Sequence, residues 1–185
     1  NPVRQDLLNP TLTRDEAADY FGLDKEKKTI LVVGGSLGAR TINESIAQKL
    51  DAIKESGVQL IWQTGKGYDA QAQALLEANP CPNVKQMPFI ARMDLAYKVA
   101  DLVISRAGAS SISELCLLEK PVILVPSPNV AEDHQTKNAL ALSSRSAAVL
   151  ITDAEARERL VPHALSLIND EAELSSMSTN IAKLA

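Results

Sequence analysis

Three loop segments carry residue types that attract an anion or a polyhydroxylated molecule. Gly34-Gly35-Ser36-Leu37-Gly38-Ala39-Arg40 sets three glycines and a hydroxyl between an apolar β-branched run and a helical one. Backbone N–H groups at such a junction are unpaired, and the helix dipole adds positive potential. Glycine lets an anion approach closely, so phosphate contact, with Ser36 donating, is favoured over a bare tight turn. The segment is not a P-loop, since no Gly-Lys-Ser/Thr follows, and it does not match G-x-G-x-x-G. The next strand ends in Trp62-Gln63-Thr64-Gly65, without the acidic residue that would hold a dinucleotide ribose, which argues against a dehydrogenase.

The second segment runs from Ser105 to Glu114 and places Ala109, Ser110 and Ser111 at a helix start. Together with the first glycine turn it could hold a diphosphate between two helix N-termini. Glu114 has two readings of equal weight: the partner of Ser111 in a capping box, or a carboxylate whose two oxygens accept both hydroxyls of a ribose. The third segment is Asp133-His134-Gln135-Thr136-Lys137-Asn138. Gln135 and Asn138 share one helix face, where paired amides recognise sugar hydroxyls or simply meet solvent. His134 has no nucleophile or carboxylate spaced to make it a catalytic base. At the end of the third strand, Phe89 and Ile90 form either an apolar wall for a flat base, its edge read by the Ile90 backbone, or plain core. Trp62 is read as lid or core, Met93 as core filling and His163 as structural or solvated.

The elements that must position these loops follow from the apolar pattern. Thr13 with Glu16 is a capping-box pair, which predicts a helix over about 13 to 21. Residues 29 to 33 read as a strand buried on both faces, and apolar residues at helical spacing from Ile42 predict one helix up to Gly57. The alternation continues with strands at 58–62, 84–89, 101–105, 121–125 and 147–151 and helices at 68–78, 92–99, 108–118 and 132–143. A helical tail from Asp153 should break or kink near Val161, because Pro162 lacks an N–H and clashes with the preceding turn. A last helix is predicted over about 171 to 184. Six such strands alternating with helices predict an α/β fold with a doubly wound, parallel, Rossmann-like sheet in a single domain over 1–185, the tail being 152–185. Ligands of such sheets bind beyond the carboxyl ends of the strands, where all three segments fall.

Composition narrows the function classes. The chain of 185 residues is long enough to bury roughly 70% of its unfolded surface in one core. A net charge of -4, with the 19 Lys and Arg scattered, argues against a nucleic-acid partner. The two cysteines, Cys81 and Cys116, make no metal or disulfide spacing. No apolar run approaches the roughly 20 residues of a membrane span. Asn1-Pro2-Val3-Arg4 reads as the interior of a longer chain, so an excised domain is expected, which leaves a lost targeting segment open.

Taken together, Asn1-Pro2-Val3-Arg4, the 34–40 glycine segment, Gln63-Thr64-Gly65, Phe89-Ile90 with Met93 and Ala96-Tyr97, Arg106-Ala107-Gly108-Ala109 with Ser113-Glu114, Pro126, and Asp133-His134-Gln135 with Asn138-Ala139 resemble the C-terminal half of the MurG family. These are UDP-N-acetylglucosamine transferases that complete lipid II, the peptidoglycan precursor. The match runs in order over residues 1 to 145, whereas the tail matches only in helical character. The resemblance implies a two-domain GT-B glycosyltransferase, a hexosyltransferase peripheral on the cytoplasmic face of the bacterial inner membrane. This half would bind UDP-N-acetylglucosamine, and the absent N-terminal half would supply the general base and the lipid I groove, so the chain alone would not turn over. By similarity, Ile90 would meet the uracil, Glu114 the ribose, and Ser36, Ala109, Ser110 and Ser111 the diphosphate, with Arg4 adding positive charge. His134, Gln135 and Asn138 would face the diphosphate and sugar. No metal or other cofactor is expected. Leu37 and Trp62 depart from the family's usual Gln and His. Another GT-B transferase, a UDP-sugar epimerase domain and a non-catalytic nucleotide-binding module are the alternatives.

Overall fold

The computed structural model describes residues 5–34, 39–129, 131 and 134–185. Six strands form one sheet: β1 (Thr29–Val33), β2 (Gln59–Gln63), β3 (Val84–Met87), β4 (Leu102–Ser105), β5 (Val122–Leu124) and β6 (Val149–Leu150). Every pairing is parallel and the order is β3-β2-β1-β4-β5-β6, which confirms the doubly wound arrangement. The period of two in each strand sends alternate residues to opposite faces. Ile30, Val32, Leu60, Trp62, Leu102 and Ile104 build one core layer, and Leu31, Ile61, Val103, Val122 and Leu124 the other. Both faces are thus apolar, which is why the strands read as continuous runs rather than alternating ones.

Helices cover the two layers. The first contains α2 (Arg40–Ala47), α3 (Leu50–Ser56), α4 (Lys66–Ala78) and α8 (Asp153–Leu167). The second contains α1 (Arg14–Phe21), α5 (Met93–Val99), α6 (Ala109–Leu117) and α7 (His134–Ser143), while α9 (Glu171–Ala182) crosses the sheet's lower edge with Met177 in one layer and Ile181 in the other. Thr13 caps α1 by accepting the Glu16 N–H at 3.1 Å, and Gly22, at φ 69°, closes it in the left-handed conformation that glycine tolerates.

Two expectations are corrected. The single helix predicted from Ile42 to Gly57 is two, because Lys49 N–H bonds back three residues to Ile46 rather than four. The resulting step keeps Ile42 and Ile46 of α2, and Leu50 and Ile53 of α3, all buried. Pro162 does not break the tail. It sits inside the continuous α8, on the solvent side, where the Glu158 carbonyl it leaves without a helical partner belongs to an exposed residue. Leu160, Val161, Ala164 and Leu167 anchor the helix on both sides of the proline.

Candidate functional site at the carboxyl edge of the sheet

The register lines up the strand ends. Met87, Gln63, Val33, Ser105 and Leu124 form one row across the sheet, so the loops that leave them share an edge. Between β1 and β4 the connections diverge: α2 follows β1 onto one face and α6 follows β4 onto the other. That divergence opens the crevice in which open α/β sheets bind ligands.

On the β1 side, Gly34 donates its N–H to the Gln63 carbonyl at 3.0 Å. A Cβ at Gly34 would lie 2.9 Å from that oxygen, so only glycine fits. Asn43 of α2 donates to the Thr64 carbonyl at 3.0 Å and accepts from Trp62 Nε1 at 3.0 Å. Trp62 is 0% exposed, so it is core and not a lid, and its indole N–H is satisfied where burial demands it. Ser36 and Leu37 lie outside the described residues, as do Arg4 and Asp133.

On the β4 side, Gly108 precedes α6 in extended conformation and no side chain caps the helix. The N–H groups of Ala109, Ser110 and Ser111 have no partner among the described residues. Ser111 is the third helical residue, and Glu114 lies within α6, so the two do not make a capping box. Glu114 Oε2 instead accepts from the Tyr97 hydroxyl at 3.2 Å, which leaves Oε1 with no partner among the described residues. An uncapped helix start beside an open carboxylate offers donors to an anion and acceptors to hydroxyls.

The third segment turns inward more than its sequence indicates. Gln135 is 5% exposed, and its Oε1 accepts from the N–H of Ala107 at 3.1 Å and of Ser127 at 3.0 Å. It thereby ties the loop after β4 to the loop after β5. Asn138 Nδ2 donates to the Ala107 carbonyl at 3.1 Å, with no described partner on its Oδ1. His134, the first residue of α7, is exposed. Phe89 and Ile90 part company: Phe89 is 71% exposed and Ile90 is 1% exposed, its N–H held by Gln63 Oε1 at 2.9 Å. Met93 packs against the second core layer, and His163 is half-buried on α8.

A supporting network escaped the sequence reading. Arg106 Nη1 donates to the Val125 and Pro126 carbonyls and to Asp153 Oδ1, at 3.2, 3.3 and 2.6 Å. Asp153 Oδ2 accepts from Thr41 Oγ1 at 2.9 Å, so one carboxylate joins α2, α8 and the loop after β4. Its only sequence signal is an acidic residue opening a helix, which the helix dipole explains equally well. A cavity of about 600 Å³ opens elsewhere, along the outer edge of β3 beside Tyr20, Phe21 and Leu76, and contains none of the site residues. Among the described residues no cluster of His, Cys, Asp or Glu is placed to hold a metal, and no helix is long and apolar enough to cross a membrane.

Residues 29–185 match the model of the glycosyltransferase family 28 C-terminal domain. The chain belongs to that family. Family members similar to it include proteins of Phocaeicola vulgatus and Parabacteroides distasonis, 60% and 61% identical over 100% of this chain. Both are named UDP-N-acetylglucosamine--N-acetylmuramyl-(pentapeptide) pyrophosphoryl-undecaprenol N-acetylglucosamine transferase. The chain spans about half the length of each, 50% in both cases. Among solved structures, MurG of Acinetobacter baumannii superposes with a TM-score of 0.75 and 31% identity, covering 97% of this chain and 50% of that one. Family 28 membership and the doubly wound sheet therefore agree.

Proposed function

We propose that this single domain is the donor-binding half of an inverting glycosyltransferase, which moves N-acetylglucosamine from its UDP derivative to the lipid-linked muramyl acceptor, lipid I, to give lipid II. The observation that carries this reading is the start of α6, where three N–H groups without a partner among the described residues lie in the same helix as Glu114, whose Oε1 likewise has none there. The names of the relatives support both the donor and the acceptor.

In this reading Ala109, Ser110 and Ser111, with Ser36 and Arg4, meet the diphosphate, and Glu114 meets the ribose hydroxyls. Ile90 lies at the uracil and His134 beside the diphosphate. Asn138 Oδ1 is available to a sugar hydroxyl, whereas the oxygen of Gln135 is already engaged by two backbone amides, so its part is to hold the wall of the crevice. The 4-hydroxyl of the muramyl acceptor attacks the anomeric carbon, the bond from that carbon to the diphosphate oxygen breaks, and configuration inverts. Negative charge grows on the departing UDP, where oriented N–H groups of the helix start stabilise it without reorganising. In this reading the general base and the acceptor groove belong to the other half, and the complete protein works peripherally at the cytoplasmic face of the bacterial inner membrane.

Titration of the isotope-labelled chain with UDP-N-acetylglucosamine, UDP-glucose and NADH, followed by NMR, tests the proposal. The UDP-sugars should shift the amides of Ala109, Ser110 and Ser111. Shifts produced by NADH alone would overturn it.

A further inference from the structure

We infer that Tyr97 is a positioning residue, which fixes the Glu114 carboxylate so that the site selects a ribonucleotide over a 2′-deoxyribonucleotide. The inference rests on the reading of Glu114 as the ribose acceptor. Tyr97 stands on α5 and is 4% exposed, packed in the second core layer, while Glu114 stands on α6 and is half-buried. The two helices meet through the Tyr97 hydroxyl, 3.2 Å from Glu114 Oε2. Among the described residues no lysine or arginine pairs with Glu114, and this hydroxyl is the one side-chain donor found on it.

A half-buried carboxylate that no cation among the described residues pairs with keeps acceptor sites open to water or to a ligand. Tyr97 uses one lone pair of Oε2, and the remaining acceptor sites suit two adjacent hydroxyls, as a ribose presents. The rigid, packed ring stops the carboxylate from swinging out to solvent, so its orientation is set before the ligand arrives. Burial, and then the nearby Glu114 charge, hold the Tyr97 phenol above its usual range, so it remains a donor at neutral pH. A deoxyribose leaves one acceptor direction unmatched, and sites built to bond a hydroxyl discriminate strongly against ligands that lack it.

Calorimetric titration of the wild type, Tyr97→Phe and Glu114→Gln with UDP and with 2′-deoxy-UDP tests this. The wild type should prefer UDP. Tyr97→Phe keeps the ring and should weaken UDP about fivefold while changing 2′-deoxy-UDP less than about twofold. If Glu114→Gln abolishes the preference and Tyr97→Phe retains it, or weakens both ligands equally, Tyr97 is structural and the inference fails alone. If Glu114→Gln leaves the preference intact, the ribose reading fails and takes the inference with it. The unsubstituted protein supplies a readout independent of variant folding: the Tyr97 ring-carbon resonance next to the hydroxyl should move with UDP and much less with 2′-deoxy-UDP, and equal movement would overturn the inference.

Discussion

Gln63 Oε1 lies 2.9 Å from the backbone nitrogen of Ile90, so the N–H proposed to read a base is already engaged by a side chain. The same carboxamide donates to the Gly34 carbonyl at 3.1 Å, which links the third loop to the glycine loop. Base binding through Ile90 therefore requires Gln63 to yield its place. Gln63→Leu should cost about 1–2 kcal/mol through the two lost bonds. Amide exchange at Ile90 should quicken in that variant, and UMP should restore its protection. Protection that UMP leaves unchanged would show that the base is read elsewhere.

Gly34→Ala should destabilise the fold by about 1–3 kcal/mol, the range of overpacked sites. The added Cβ would meet the Gln63 carbonyl at 2.9 Å and Ala39 Cβ at 3.1 Å. Neither the backbone of a central strand nor a buried alanine can give way cheaply. Chemical denaturation reads the loss directly, and an unchanged midpoint would contradict the close approach.

Asp153→Ala should lower stability by about 3 kcal/mol, because it withdraws the carboxylate that faces the buried Arg106 guanidinium. Thr41 loses its acceptor at the same time, and α2 its tie to α8. UDP affinity should fall as well, since α2 sets the start of the glycine loop's helix. Equilibrium unfolding combined with UDP titration separates the two effects, and a variant as stable as the wild type would show the ion pair to be dispensable.

Lys120 offers a pH test remote from the site. Burial lowers its ammonium pKa from 10.5 to about 8, although its Nζ donates to the Ala100 carbonyl at 2.9 Å. Below pH 8 the lysine is charged in both folded and unfolded chains, and its burial penalty is fully present. As pH rises from 8 towards 10.5 the folded form loses the proton first, the unfolded form binds more protons, and stability rises by this contribution. The melting temperature of the wild type relative to Lys120→Met should therefore climb between pH 8 and 10. A constant difference would place the ammonium in contact with water.

The fold was legible because its signals are local. Runs such as Thr29–Val33 and Leu102–Ser105 are apolar on both alternating positions, which marks a strand covered on two faces, and the glycine turns and helix starts between them set the order. Glu114 was legible only as one of two possibilities, since Ser111 three residues earlier satisfies the capping pattern equally well. The register of α6 removed the capping box: Gly108 takes the cap position, and Glu114 reaches Tyr97. Gln135 and Asn138 were placed on a common face correctly, yet their engagement with Ala107 and Ser127 depends on loops 28 and 8 residues away from Gln135 coming together.

From the residue pattern alone, then, came the alternation of strands and helices, the glycine loop and the family resemblance, all written in residue types and in spacings of a few positions. The tertiary structure decided which polar groups are occupied and which are open. Gln63 closes the Ile90 amide, Gln135 closes two loop amides, and the first three N–H groups of α6 have no partner among the described residues. Hydrogen-bond satisfaction is a property of atoms within about 3 Å, and chain segments far apart in sequence acquire that proximity only when the sheet brings their ends into one row.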